Sequence, residues 1–375
     1  REAYGGWMGF LYGWAYLLII TSGSIAVLAL AFSHYLSFLI PMNETLKIIT
    51  SISAICLLTT LNILRAKFGE IFSNIFTGLK IAGILIIIGA GIILGSSEFS
   101  FRDFPSLSSN GVTLSAFGVA FTGVLFSYGG WQHASFLAGE TRDPARNVPI
   151  AMITGALAVT LIYLLVNVGY MLLLPVEKIV SSTRVAAEAV STVIPFGGIL
   201  VAAIIAISTF GTIGIYTLSA PRIYYAMASD GLFFKGIARV HPKFRTPVNA
   251  ILAQSAWAII LLLFWGTFEN LITYTVAIEF IFYILAASGI YIFRKKLKNT
   301  ERPYRTLGYP VTPFIFIAIN TWFVINISIN KPLHMGIGLI FLAIGVPVYY
   351  FFRKKNNLSR NGSADPVKVE RNVED

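Results

Sequence analysis

The sequence predicts an all-α integral membrane fold with about ten transmembrane helices. Hydrophobic residues make up 56% of the chain and charged residues only 12%, and the mean hydropathy is +0.75. A soluble domain carries about 25% charged residues. Apolar runs of roughly 20 residues, the length that crosses a bilayer, recur along the whole chain. Lysine and arginine collect in alternate segments between these runs. The solvent of this chain is therefore predicted to be membrane lipid.

The apolar runs are separated by clusters of proline and polar residues. Residues 41–43 and 105–110 are examples, and such clusters are typical of helix ends. Runs longer than 25 residues indicate tilted helices or cytoplasmic extensions. The predicted helices are 9–39, 46–64, 69–95, 114–138, 148–174, 196–220, 247–266, 270–293, 311–329 and 333–352.

The basic residues predict the orientation of the chain. If Arg1 lies inside, 22 of the 28 lysines and arginines fall in inside segments, five fall outside, and one, Lys80, lies within a helix. Because cytoplasmic loops are rich in basic residues, the C-terminus is predicted to be cytoplasmic. Residues 1–353 then form the transmembrane domain, and 354–375 form a disordered cytoplasmic tail. The net charge of +11 is spread over many loops, which argues against a nucleic-acid partner.

Enzyme chemistry has little support in the sequence. Cys56 is the single cysteine and lies in an apolar run, so neither a disulfide framework nor a cysteine metal site is expected. No phosphate loop or nucleophile elbow is present, and no cofactor is expected. The four histidines are scattered without metal-ligand spacing: His34, His133, His241 and His334.

Lys80 lies in the middle of a predicted helix, close to 18 Å from either membrane surface. A lysine stem reaches roughly 6 Å, so the charge cannot reach water along the lipid face. A charge at that depth should face a cavity or a partner. The functional interpretation is a fixed cation in a transport pathway. The alternatives are a misplaced helix boundary and a purely structural pair.

The fourth predicted helix contains the adjacent glycines Gly129 and Gly130 in mid-span. Each weakens a helix by about 1 kcal/mol relative to alanine. They also allow backbone to come close to a ligand. Because a helix break at membrane depth is tolerated only where it lines a cavity, this segment is a candidate binding site. Ordinary small-residue packing is the alternative.

Glu279 lies in the eighth predicted helix, about eight residues from its outer end. Water could reach a carboxylate at this depth from the outside. A gate residue and a hydrated rim residue are equally consistent with this position.

Several segments resemble the L-type amino acid transporters of the amino acid–polyamine–organocation superfamily. The segment Phe126-Ser127-Tyr128-Gly129-Gly130-Trp131-Gln132, with residues 139–149 after it, is similar to the sixth helix and exit loop of that family. The resemblance covers residues 1–353. Further matching segments are 219–222, 229–231, 241–242, 246–247, 302–305, 309–310, 337–339 and 345–349.

The resemblance implies a twelve-helix fold with two inverted five-helix repeats. The ten helices predicted here match the third to twelfth, so the chain is expected to lack the first two helices of the family. The absence of an initiating methionine agrees with that expectation. Residues 114–293 would form a complete second repeat. The Lys80 and Glu279 helices would be counterparts in the two repeats.

The resemblance also assigns roles around the helix break. Phe126 matches the aromatic residue that closes over substrate from outside, and Gly129 and Gly130 match the unwound segment. Gln132 stands where many relatives have asparagine, and Glu279 matches a position on the outer side of the pocket. The full substrate-binding and gating set is Phe126, Ser127, Tyr128, Gly129, Gly130, Trp131, Gln132 and Glu279.

A second group of residues matches the sodium site of sodium-coupled relatives. Lys80 resembles the lysine that occupies this site in sodium-independent members. Ser208, Thr209 and Thr212 are its expected hydroxyl neighbours. No metal is expected here.

The function implied is a sodium-independent amino acid permease or exchanger that works by alternating access. A proton-coupled amino acid symporter, with Lys80 or Glu279 titrating, is the alternative within transport. A channel is disfavoured because the helix faces are mostly apolar with isolated polar points. An inactive fragment that serves as a membrane scaffold is a further alternative. Residues 41–45, in the loop where animal relatives pair with a glycoprotein, contain no cysteine, so no disulfide-linked partner is expected.

Overall fold

The computed structural model describes residues 1–64, 70–95, 113–132, 141–300, 302 and 304–362. Every regular element in these ranges is a helix, which confirms the all-α prediction. The helices are α1 (Gly6–Leu39), α2 (Glu44–Ile63), α3 (Glu70–Leu94), α4 (Leu114–Ser127), α5 (Pro144–Leu173), α6 (Val176–Ser181), α7 (Val185–Ser191), α8 (Gly197–Ser219), α9 (Pro221–Ser229), α10 (Val248–Trp265), α11 (Phe268–Lys296), α12 (Val311–Asn330) and α13 (Pro332–Gly362).

Nine helices in the described ranges are long and apolar enough to cross a membrane, and α4 is a shorter apolar helix. Several helix starts follow from local chemistry. Asn43, Thr113 and Thr267 each accept a hydrogen bond from a backbone N–H of the first turn, as N-cap residues do. Pro144 and Pro221 stand at the first helical position of α5 and α9, where the missing N–H costs nothing.

Two predicted boundaries differ most from the structure. The helix predicted over 114–138 ends at Ser127, and a turn covers residues 128–132. Its remaining predicted part, 133–138, lies outside the described residues, as does His133. The last helix continues to Gly362, so residues 354–362 are helical where a disordered tail is predicted. The rest of that tail, 363–375, and the predicted helix start at 69 also lie outside the described residues.

Helix α1 forms the centre of the bundle. It packs against α2, α8, α10 and α11, and its N-terminal half also contacts α13. Its membrane-length window is 78% buried, the highest value among the described spans. Helix α3 instead packs against α5 and α8, and α4 packs against α11 and α12. This arrangement places the end of α4 beside α11.

A π-helical turn at Tyr16–Thr21 interrupts α1 at its middle. The wider turn changes the regular backbone pairing, and carbonyls at this depth need other donors. The Leu18 carbonyl accepts hydrogen bonds from Trp257 Nε1 at 2.6 Å and from the Tyr274 hydroxyl at 3.3 Å. The Leu17 carbonyl accepts from Ser22 Oγ at 2.6 Å. Helices α10 and α11 therefore hold the irregular turn of α1 in place.

Candidate functional site

Helix α4 ends at Ser127 and a turn follows at residues 128–132, which we call the α4 break. The Gly129 N–H donates to the Phe126 carbonyl at 2.9 Å, which tightens the last turn. Gly130 then takes a φ of +101°, in the left-handed region that favours glycine. The helix therefore stops at the glycine pair where the sequence predicted a weak point.

Gln132 connects this break to α11. Its side-chain Oε1 accepts from the Gly130 N–H at 3.0 Å, and its Nε2 donates to Glu279 Oε1 at 3.1 Å. The Tyr283 hydroxyl, one helical turn beyond Glu279, donates to the same Oε1 at 2.6 Å. Gln132 and Glu279 are 8% and 9% exposed. A buried amide thus couples the irregular backbone of α4 to a buried carboxylate.

The position of Glu279 corrects one of the two readings of the sequence. Helix α11 begins at Phe268, so Glu279 lies eleven residues into the helix, roughly 17 Å from its N-terminal end. The side chain is buried and hydrogen-bonded to protein groups. The hydrated-rim interpretation is therefore wrong for this structure, because α11 starts earlier than predicted and its neighbours cover the carboxylate.

Aromatic side chains surround the Gln132–Glu279 pair. The rings of Trp131 and Tyr283 lie 5.3 Å apart between centroids. Tyr12, Tyr16 and Tyr216 are close enough to Glu279 to interact with its charge. Sequence reasoning missed these four tyrosines. Only Tyr283 had a signal, because it stands four residues after Glu279 on one helix face.

The remaining residues of the predicted set face a different neighbour. The Tyr128 hydroxyl donates to Thr160 Oγ1 at 3.1 Å, and the Ser127 carbonyl accepts from the Tyr163 hydroxyl at 2.8 Å. Both partners belong to α5. Phe126 is half-buried against the core. The segment 126–132 therefore has a side toward α5, with Tyr128, and a side toward α11, with Gln132 and Trp131.

Lys80 makes the contact with α8 that was predicted. Its Nζ donates to Thr212 Oγ1 at 2.8 Å, and Thr212 Oγ1 donates in turn to the Ser208 carbonyl at 2.8 Å. Lys80 lies ten residues from the start of α3, roughly 15 Å into the helix. Thr209 instead bonds its own helix, at the carbonyls of Ile205 and Ala206. Of the three predicted neighbours, Thr212 contacts the ammonium directly through its hydroxyl. Ser208 is linked to it indirectly, because its carbonyl accepts from Thr212.

Groups of three or more histidine, cysteine, aspartate or glutamate side chains that could hold a metal are absent from the described ranges. The polar chemistry described here consists of a broken helix, one carboxylate and one ammonium.

Apolar helices of membrane length, with a buried carboxylate tied to the turn at the end of α4, are features of a multi-pass membrane protein. Residues 1–351 match the profile of the amino acid permease family, and the chain belongs to this family. It is 31% identical over 359 residues to the serine/threonine exchanger SteT of Bacillus subtilis, an alignment that covers 95% of this chain and 81% of SteT.

Animal relatives are nearly as similar. The human b(0,+)-type amino acid transporter 1 is 28% identical over 358 residues, covering 94% of this chain and 72% of the relative. The mouse large neutral amino acids transporter small subunit 2 is 28% identical over 362 residues, covering 93% and 67%. This protein is accordingly an amino acid transporter and not an enzyme.

Proposed function

We propose that this protein is a sodium-independent amino acid permease or exchanger that works by alternating access. The observation that carries the proposal is the break at the end of α4, held through Gln132 to Glu279. Backbone groups freed at such a break can bind the ammonium and carboxylate of an amino acid. Phe126, Ser127, Tyr128, Gly129, Gly130, Trp131, Gln132 and Glu279 form the proposed binding and gating set.

In alternating access, the substrate site faces the outside in one conformation and the inside in another. Substrate binding shifts the populations of these two conformations. The α4 break contacts α5 through Tyr128 and α11 through Gln132. A movement of α4 relative to either helix would change the site. The Lys80 ammonium supports sodium independence because it places a fixed positive charge beside Thr212, at the proposed sodium-site substitute.

The exchanger is tested by uptake of a radiolabelled amino acid into liposomes that contain the full-length protein. We expect liposomes preloaded with unlabelled amino acid to take up label several times faster than empty ones, because a loaded carrier returns faster. An inward proton gradient should change the rate by less than twofold. Strong proton-driven accumulation in empty liposomes would instead favour the symporter, for which the buried Glu279 is a candidate carrier.

The proposed location is a cell membrane, with the C-terminus in the cytoplasm. A cysteine at exposed Asn299, after α11, should react with an impermeant maleimide only from the cytoplasm. A cysteine at exposed Thr183, between α6 and α7, should react only from outside. The background for both is Cys56→Ser, because Cys56 is exposed on α2. Reaction of both positions from one side would contradict the topology. No disulfide-linked partner is part of this proposal.

A further inference from the structure

Glu279 carries one carboxylate oxygen, Oε2, that accepts no hydrogen bond from the described residues. Both of its recorded hydrogen bonds, from Tyr283 and from Gln132, end on Oε1. Within the part of the chain that the structure describes, no donor to Oε2 is recorded. Both donors are also electrically neutral groups, so neither offsets the charge of a carboxylate.

No cation of the described ranges is paired with this carboxylate. The recorded ion pairs join other residues: Arg1 with Asp230, Lys47 with Glu44, Arg184 with Glu188 and Lys331 with Glu269. The ammonium of Lys80, the other ionisable group in mid-span, donates to Thr212. A buried charge in a membrane protein is stable when a partner of opposite charge meets it. Within the described ranges Glu279 has no charged partner, which makes it a candidate to receive a cation from outside the chain.

The surroundings of Glu279 suit an organic cation. The Tyr283 hydroxyl donates to Glu279, and the ring of Trp131 lies 5.3 Å from the ring of Tyr283 at a tilt of 49°. The negative faces of aromatic rings attract ammonium and guanidinium groups, and this attraction grows when the cation is desolvated. A carboxylate beside aromatic rings therefore suits a single positively charged group.

The distance from the α4 break to Glu279 sets the length of substrate that reaches both places. One amide group and two hydrogen bonds connect the Gly130 N–H to Glu279 Oε1, so these atoms lie about 8 Å apart at most. A lysine side chain extends roughly 6 Å from its Cα. An amino acid whose backbone sits at the break can thus place the end of a long side chain at Glu279.

We propose that Glu279 receives the positively charged side chain of the substrate, so that the preferred substrates are basic amino acids. This inference rests on the proposed function, because it assumes that the α4 break holds the amino acid backbone. Oε2 accepts from the ammonium or guanidinium, while Tyr283 and Gln132 hold the carboxylate through Oε1.

The test compares L-lysine with L-norleucine, which has the same four-carbon side chain without the ammonium. In liposomes with the full-length protein, we expect L-lysine to inhibit uptake of radiolabelled L-arginine at a concentration at least tenfold lower than norleucine. Glu279→Gln keeps the shape and removes the charge. It should lower arginine uptake about ten- to hundredfold and lower norleucine uptake by a smaller factor, so that the ratio of arginine to norleucine uptake falls at least tenfold.

Two control variants separate charge from fold. Glu269→Gln changes an exposed glutamate in the first turn of the same helix and should behave as wild type. Tyr283→Phe removes a hydrogen bond but keeps the charge, so the preference for lysine over norleucine should persist. Size-exclusion chromatography checks that each variant is folded. If Glu279→Gln does not fold, the wild-type ratio of lysine to norleucine decides alone.

Each remaining outcome would overturn one specific part of the proposal. Equal inhibition by lysine and norleucine, or an equal loss of both uptakes in Glu279→Gln, would overturn the assignment of basic substrates and leave the permease intact. Loss of proton-driven uptake with an unchanged lysine preference would make Glu279 a proton carrier and overturn its contact with the side chain. A failure of wild type to transport any amino acid would contradict the proposed function itself.

Discussion

Replacing Gly130 by leucine is expected to lower amino acid uptake by roughly ten- to hundredfold while the helix bundle remains folded. Gly130 has a φ of +101°, and a Cβ at this position would stand 3.7 Å from the Tyr216 hydroxyl. Holding a residue other than glycine in such a backbone conformation costs about 1–3 kcal/mol. A tenfold change in an equilibrium corresponds to about 1.4 kcal/mol. The longer side chain of leucine would also occupy the space beside the break. Initial uptake rates in liposomes measure the effect.

The same helix provides a matched control. Gly123 lies in the regular part of α4, and a Cβ there would meet no heavy atom within 4 Å. Gly123→Leu should therefore transport within twofold of wild type. Comparable thermal stability of the two variants in detergent would show that Gly130→Leu acts on the site. Normal transport by Gly130→Leu would place the binding pocket away from the α4 break.

The spans themselves could be predicted closely from the sequence. Predictions at 46–64 and 311–329 compare with helices at Glu44–Ile63 and Val311–Asn330. A span is recognised by the length of an apolar run, and this length is a property of the local sequence alone. Helices α6, α7 and α9 were not predicted, because six to nine residues give too short a pattern.

The π-helical turn of α1 could not be predicted for a different reason. Its sequence, from Tyr16 to Thr21, contains neither glycine nor proline. The turn is held by donors that lie more than 230 residues away, including Trp257 and Tyr274. An irregular backbone that depends on tertiary hydrogen bonds leaves no local signal.

At the candidate site, local features of the sequence were likewise easier to predict than contacts between helices. The glycine pair predicted the helix break, since glycine backbone freedom is a local property. The contact of Lys80 with Thr212 was predicted from the family resemblance, and the structure contains it. The burial of Glu279 and its bond to Tyr283 were not predicted, because they depend on how α4 and α11 pack. Chemistry within one helix, and one contact matched through the family resemblance, could be predicted, while the remaining environment between helices could not.

Lys80→Met is expected to lower uptake at least tenfold. The ammonium donates to Thr212 Oγ1 at 2.8 Å and is the only ionisable side chain of α3 that the structure describes in mid-span. Methionine has a similar length but neither charge nor donor, so Thr212 Oγ1 would lose the hydrogen bond that it accepts from the ammonium. A hydrogen bond to a charged group contributes about 1.5–3 kcal/mol. Lys331→Met, at an exposed lysine paired with Glu269, is the control and should retain wild-type uptake.

Sodium provides the decisive measurement for this lysine. At an effective dielectric constant near 20, two unit charges 4 Å apart repel by about 4 kcal/mol. That energy weakens sodium binding beside Lys80 by roughly three powers of ten. Wild-type uptake should therefore change by less than twofold when choline replaces sodium, whereas any residual uptake by Lys80→Met should become sensitive to sodium. Sodium-driven accumulation by the wild-type protein would contradict the role of Lys80, because an ion could then bind in spite of the ammonium.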